Sequence, residues 1–258
     1  MSFRIEGAGI THRGTEKETN EDCLVVGFWS SQETMQEARP FEQELDLPFA
    51  CVVCDGMGGH NDGEKASLLV AKGLARRIVA LGTKGIDTSV RAVNAELSAH
   101  VREHPELAGM GSTTVGLAAH ERSLVIFNVG DSRAYKVGEK GLMQLSTDDV
   151  MGEPGWKLGS GKPRNTRLLQ CFGGRTNFSD IVPNVLTEPV RPGNVYLLCC
   201  DGLYETVTEE EMASLITPDL KASAEALLKA ALDKKARDNV TVALVRVVDA
   251  APAAPAAT

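Results

Sequence analysis

The chain has 258 residues, 43% of them hydrophobic and 24% charged, with a formal net charge of -8. This is the composition of a globular protein with a buried core, and the acidity argues against a nucleic-acid partner, because phosphate backbones select basic surfaces. The N-terminus, MSFRIEGAGITHRG, carries no apolar signal segment and no run approaches the ~18 apolar residues of a membrane span, so a cytoplasmic protein without membrane association is expected.

No Pro/Ser-rich linker interrupts residues 1–248, which are expected to form one domain followed by a disordered Ala/Pro tail, 249–258. FRIEGAGIT and CLVVGFW read as strands joined by the polar loop HRGTEKETNED. Residues 30–48, SSQETMQEARPFEQELDLP, are polar and proline-punctuated and read as an exposed excursion. The apolar run 49–54 is a buried strand that stops at Asp55, with Gly56, Gly58 and Gly59 behind it. Helical spacing of Ala66, Leu69, Val70, Gly73, Leu74 and Ile78 predicts a helix over 62–81, with Asp62 as its cap. A second helix is predicted over 87–103, ending before Pro105.

From Gly111 onward STTVGLAAH, LVIFNV and RAYKV are strand-length pieces between turn signals. VYLLCC is another buried strand and ends at Asp201. Thr208 and Glu211 form a capping-box pattern for a short helix, a further helix is predicted over 223–236, and 239–248 is the last strand. Consecutive strands with helices before and after them do not give strict βαβ alternation, so an α+β protein with helices covering antiparallel sheets is expected. Four of the six cysteines, Cys51, Cys54, Cys199 and Cys200, lie in apolar runs and read as small hydrophobes. Cys51 and Cys54, three apart on a strand, point to opposite faces and make neither a redox pair nor a zinc site.

Acids recur at strand ends: Glu21 and Asp22 before one, Asp55 and Asp201 after two others, Asp131 between two, Asp238 before the last. Such acids either stay solvated as ordinary strand terminators or gather around a cation that offsets their repulsion. An all-oxygen donor set selects a hard cation, Mg2+ or Mn2+, over zinc. The turn after Asp55 carries the same two readings, a plain strand-to-helix turn or a metal-binding tip.

The ordered pieces NED (20–22), DGMGGH (55–60), GSTT (111–114), GDSR (130–133), DG (201–202) and DN (238–239) resemble the metal-dependent serine/threonine protein phosphatases of the type 2C (PPM) family, in its compact bacterial form. They span nearly the whole chain, and it is their order together that is specific. The resemblance implies a four-layer α-β-β-α sandwich with two central antiparallel sheets. It also implies hydrolysis of phosphoserine and phosphothreonine on proteins by a water activated between two Mn2+ or Mg2+ ions. By that resemblance Asp55 bridges the ions with the Gly56 carbonyl on one of them, Glu21, Asp201 and Asp238 complete the shell, and Asp22 acts through bound water. Asn239 supports them, and Asp131 with Asp201 forms a weaker third metal site. The partners implied are phosphorylated Ser/Thr proteins and an opposing Ser/Thr kinase, in bacterial signalling, with the chain a monomer.

Three departures from the family pattern stand out. Lys17 occupies the place of an Arg that grips the substrate phosphate, supplying charge without the bidentate fork; Arg13 is a substitute. Met57 stands where some eukaryotic members have a His proposed as general acid. The 152–163 segment is a short flap region. Two competing motifs fall away on inspection. HVREH (100–104) has inverted zinc-protease spacing but is cut off by Pro105, and LGSGKP lacks the first Gly of a phosphate loop. A binding module that has lost catalysis is the other alternative, but every metal acid is retained.

Overall fold

Apolar runs bounded by acids and glycines become strands, and the 3.6-residue periodicities become helices. The structure is a computed structural model and describes residues 2–58, 62–151, 155–160, 167–174 and 179–250. Gly59, His60, the tail beyond Ala250 and half of the 152–163 segment lie outside these residues. The chain opens with β1 (Phe3–His12), β2 (Cys23–Val26), β3 (Trp29–Ser31), β4 (Arg39–Glu44), β5 (Phe49–Cys54) and β6 (Gly56–Met57). Helices α1 (Gly63–Leu81) and α2 (Ile86–Glu103) follow, then β7 (Gly111–Ser112), β8 (Thr114–His120), β9 (Ser123–Val129), β10 (Arg133–Gly138) and β11 (Gly141–Gln144). The remainder is β12 (Phe172–Gly173), β13 (Asn184–Pro189), β14 (Val195–Cys199), α3 (Asp201–Tyr204), α4 (Glu209–Leu215), α5 (Leu220–Asp233) and β15 (Val240–Asp249).

Two six-stranded antiparallel sheets, β11-β10-β14-β15-β1-β4 and β13-β9-β8-β5-β2-β3, are joined by a small third sheet, β12-β7-β6. Every residue of β5 is buried, on both faces of the strand, which is why its sequence shows no polar alternation. Phe49, Cys51 and Val53 pack between the sheets with Leu24, Val115, Leu117, Tyr196, Leu198 and Ala243. Ala50, Val52 and Cys54 face outward onto Ala66, Val70 and Leu74 of α1 and Val90 and Val93 of α2. On the far side, Ile10, Leu197, Val242 and Leu244 pack against Leu203, Met212, Leu227 and Ala231 of α3 to α5. The layers are therefore α-β-β-α, as expected, and Cys51 and Cys54 do lie on opposite faces.

Residues 30–48 correct the sequence reading. They are not a plain excursion: β3 pairs with β2 and β4 with β1, closing one edge of each sheet. In β4, Arg39, Pro40, Glu42 and Glu44 are exposed while Phe41 stacks on Phe49 at 5.8 Å between ring centroids. Charges and a proline are what an edge strand carries to discourage further pairing. The α5 helix begins at Leu220, three residues before the predicted start, because the Asp219 carboxylate accepts the Ala222 N–H at 3.0 Å. Asp62 stands before α1 without a side-chain cap bond; its carboxylate lies 3.5 Å from Lys65 Nζ. Thr208 does cap α4, accepting the Glu211 N–H at 3.2 Å, but Glu211 turns to Lys234 and leaves the box half made. The last strand reaches Asp249, opposite Phe3, and the Ala250 N–H donates to the Ser2 carbonyl at 3.0 Å.

Candidate metal centre

Antiparallel pairing explains why acids far apart in sequence meet. Cys23 pairs with Cys54, so Asp22 and Asp55, the next residues outward, share one end of a sheet. Cys199 pairs with Val242 and with Arg133 in the facing sheet, which puts Asp201, Asp238 and Asp131 at the matching end of β14, β15 and β10. Asp131 sits where β9 of one sheet hands over to β10 of the other.

The backbone around Glu21 is drawn in tightly. Its N–H donates to Asn239 Oδ1 at 2.8 Å, and its carbonyl accepts the Ser67 hydroxyl at 2.5 Å. A Cβ on Gly56 would fall 2.2 Å from the Gly63 carbonyl oxygen and 2.5 Å from that of Glu21. A Cβ on Gly63 would fall 2.9 Å from Glu21 Oε1 and 3.0 Å from the Gly56 carbonyl carbon. These two glycines let the start of α1, the Gly56 backbone and the Glu21 carboxylate approach closely. Asn239 also donates to the carbonyls of Arg13 and Thr19, each at 3.0 Å, tying the Arg13–Asp22 loop to the start of β15.

Asp22 is fully buried, and Thr241 Oγ1 donates to its Oδ2 at 2.6 Å, at the end of a chain that runs back through Thr11 to Asn20 Nδ2. Its Oδ1 has no hydrogen-bond partner among the described residues. Burial pushes the Asp22 carboxyl up to about 7 against hydrogen bonds from Cys200 and Thr241, with Asp201 and Asp238 adding to the rise. Burial, then Asp201, Asp22, Asp238 and Asp131, hold Asp55 well above the usual carboxylate range. Burial raises Glu21 too, and Asp238 adds to this while Lys17 opposes it. The acids therefore share one field, but among the described residues no three His, Cys, Asp or Glu side chains stand close enough to hold an ion as placed. Mutual repulsion keeps carboxylates apart until a cation offsets it. The donor set still fits a hard cation: all oxygen, charge-rich, and with one buried carboxylate oxygen left without a partner.

Lys17 Nζ lies 2.8 Å from Asp238 Oδ1, and although burial opposes it, Asp238, Glu21 and Asp55 hold the ammonium above its ordinary value. Arg13 points elsewhere, its guanidinium donating to the Glu18 carbonyl at 3.4 Å. A cleft of about 590 Å³ opens beside this pair, lined by Lys17, Leu158, Gly202, Lys235, Arg237 and Asp238. The His100 and His104 rings pack tilted, centroids 4.6 Å apart, and His104 faces Glu106, a surface pair with no third ligand among the described residues. Thr241, Tyr204 and Arg133 are parts of the site that the sequence reading passes over. Thr241, a hydroxyl in the apolar strand VTVALV, is the one with a visible signal.

A match to the protein phosphatase 2C family covers residues 30–235. The chain belongs to the protein phosphatase 2C family. The serine/threonine protein phosphatase PstP of Mycobacterium tuberculosis is 32% identical over an alignment covering 96% of this chain and 46% of PstP. This chain thus spans about half the length of that relative. The serine/threonine phosphatase stp of Listeria monocytogenes is 31% identical, over 80% of this chain and 86% of stp. The catalytic domain of PstP, solved in complex with two manganese ions, superposes with a TM-score of 0.77 at 29% identity, covering 96% of this chain and 100% of that one. This phosphatase 2C fold is thus shared over nearly its full described length.

Proposed function

We propose that residues 1–248 form a catalytic unit that hydrolyses phosphoserine and phosphothreonine on proteins, using two Mn2+ or Mg2+ ions. Glu21, Asp22, Asp55, the Gly56 carbonyl, Asp201 and Asp238 would hold them, with Asp131 and Asp201 available to a third. The observation that carries this reading is that Asp55, Asp201, Asp22, Asp238 and Asp131 act on one another at one end of the sandwich, where Asp22 Oδ1 is buried without a hydrogen-bond partner among the described residues. When bound, the ions supply positive charge that lowers the pKa of a water and offsets charge on the phosphoryl group.

The protein's own groups do the rest. Asn239 and the Gly56–Gly63 contact fix Glu21, and the Thr241 hydroxyl orients Asp22. Lys17, held above its ordinary pKa and so charged at neutral pH, would be the cation that meets the substrate phosphate. A thiol nucleophile is disfavoured, because Cys200 is buried and its pKa is raised well above the ordinary thiol value. A monomer acting in the cytoplasm opposite a Ser/Thr kinase completes the reading; among the described residues no helix is long and apolar enough to cross a membrane. The test is turnover of p-nitrophenyl phosphate and a phosphothreonine peptide with Mn2+, with and without EDTA. Both activities should vanish in EDTA and fall about a hundredfold or more in Asp201→Asn. Turnover that is indifferent to EDTA and to that substitution would overturn the reading.

A further inference from the structure

We infer that Arg133 is a positioning residue for the protein substrate, holding residues 155–160 as one wall of the cleft beside Asp238. The inference rests on the phosphatase reading above. Arg133 is 1% exposed, and its partner Asp148 is 6% exposed. Nε reaches both carboxylate oxygens of Asp148, at 3.0 and 3.2 Å, and Nη2 reaches Oδ2 at 2.6 Å. Two further donors leave this pair. Nη2 also donates to the Trp156 carbonyl at 2.7 Å, and Nη1 to the Tyr135 hydroxyl at 3.2 Å. The guanidinium plane lies 3.9 Å from the Tyr204 ring centroid, and the Tyr204 hydroxyl donates to the Asp131 carbonyl at 3.0 Å.

Stability alone is a weak account of this arrangement. Burying an ion pair costs desolvation that its attraction roughly offsets, and apolar side chains of similar volume fill a core as well. What an apolar residue cannot do is grip a backbone carbonyl and a site turn together. Trp156 is two residues from Leu158, which lines the cleft with Lys17, Gly202 and Asp238. Between them, Lys157 pairs with Glu209 at the start of α4. The wall is thus pinned from beneath by Arg133 and from outside by Glu209. Through Tyr204 the same guanidinium is tied to the Asp131 turn and to α3, which begins at Asp201. Arg133 links the wall to the Asp131 turn, through the Trp156 carbonyl on one side and the Tyr204 ring on the other. A small aryl phosphate can reach the acids without the wall, whereas an extended peptide, rising ~3.3 Å per residue, must lie along it.

The experiment compares the parent with Arg133→Lys and Lys157→Ala, measuring Tm and steady-state kinetics on p-nitrophenyl phosphate and a phosphothreonine peptide in Mn2+. Lysine keeps the charge but lacks the fork. The ratio of kcat/KM for the peptide to that for the aryl phosphate should fall about tenfold in Arg133→Lys, through KM, and about threefold in Lys157→Ala. A merely structural role would lower Tm and both activities in step, leaving the ratio at the parent value, and that result overturns the inference. If Arg133→Lys does not fold, the exposed Lys157→Ala decides alone by the same ratio. A parent inactive on both substrates overturns the phosphatase reading and takes this inference with it. A parent active on both, with unchanged ratios in the variants, overturns this inference only.

Discussion

Lys17 is the residue proposed to meet the substrate phosphate. Its ammonium sits 2.8 Å from Asp238 Oδ1 with Glu21 and Asp55 close enough to raise its pKa, so it stays protonated through neutral pH. A point charge of this kind binds a phosphate dianion but cannot grip two of its oxygens at once as a guanidinium does. Lys17→Ala is expected to raise KM for a phosphothreonine peptide about tenfold with a smaller change in kcat, and Lys17→Arg to lower KM below the parent value. An Ala variant with unchanged KM would remove Lys17 from phosphate binding. Arg13 is bonded within its own loop, its guanidinium donating to the Glu18 carbonyl at 3.4 Å.

Elements differ in how openly their sequences announce them. Strands β5, β14 and β15 are legible because each is largely covered on both faces and so reads as a mainly apolar run bounded by an acid. The β4 edge is not, because only Phe41 and Gln43 turn partly inward and the exposed Arg39, Pro40, Glu42 and Glu44 look like loop. The acids proposed as metal ligands are legible for the same reason as their strands, since they stand at the strand tips. The hydrogen bonds that fix them are not: Thr241 reaches Asp22 across 219 residues, Tyr204 reaches Asp131 across 73, and Arg133 reaches Asp148 across 15. No local pattern encodes a partner that far away. At the start of α1 the two kinds of information meet. Alanine is a better helix former than glycine by ~1 kcal/mol, so Gly63→Ala should help the helix in isolation. Its Cβ, however, would stand 2.9 Å from Glu21 Oε1 and 3.0 Å from the Gly56 carbonyl carbon. Gly63→Ala is therefore expected to leave Tm within a few degrees of the parent while weakening Mn2+ affinity about tenfold, as read by calorimetric titration. Unchanged Mn2+ affinity would show that Glu21 does not need this close approach.

Over the whole molecule, the sandwich gathers like charges at one end and has to offset them. Burial pushes Asp22 up to about 7, and burial with four neighbouring carboxylates raises Asp55 well above the usual range. In the metal-free protein both groups hold protons when folded that they release when unfolded, where an Asp titrates near ~3.9. The native state then binds more protons than the unfolded state between about pH 4 and pH 7, so stability falls as pH rises through that window. A divalent cation competes with those protons for the same oxygens, so the stabilisation it confers grows in the same direction. In EDTA, Tm should drop by about 5–10 °C between about pH 5 and pH 7.5. Millimolar Mn2+ should restore most of that loss at the upper pH and little at the lower. Asp22→Asn, which removes the titrating group most deeply buried, should flatten the EDTA profile. A Tm in EDTA that is level or rising across this window, or a Mn2+ shift of equal size at both ends, would mean that the acids at the sheet end do not carry the electrostatic load assigned to them.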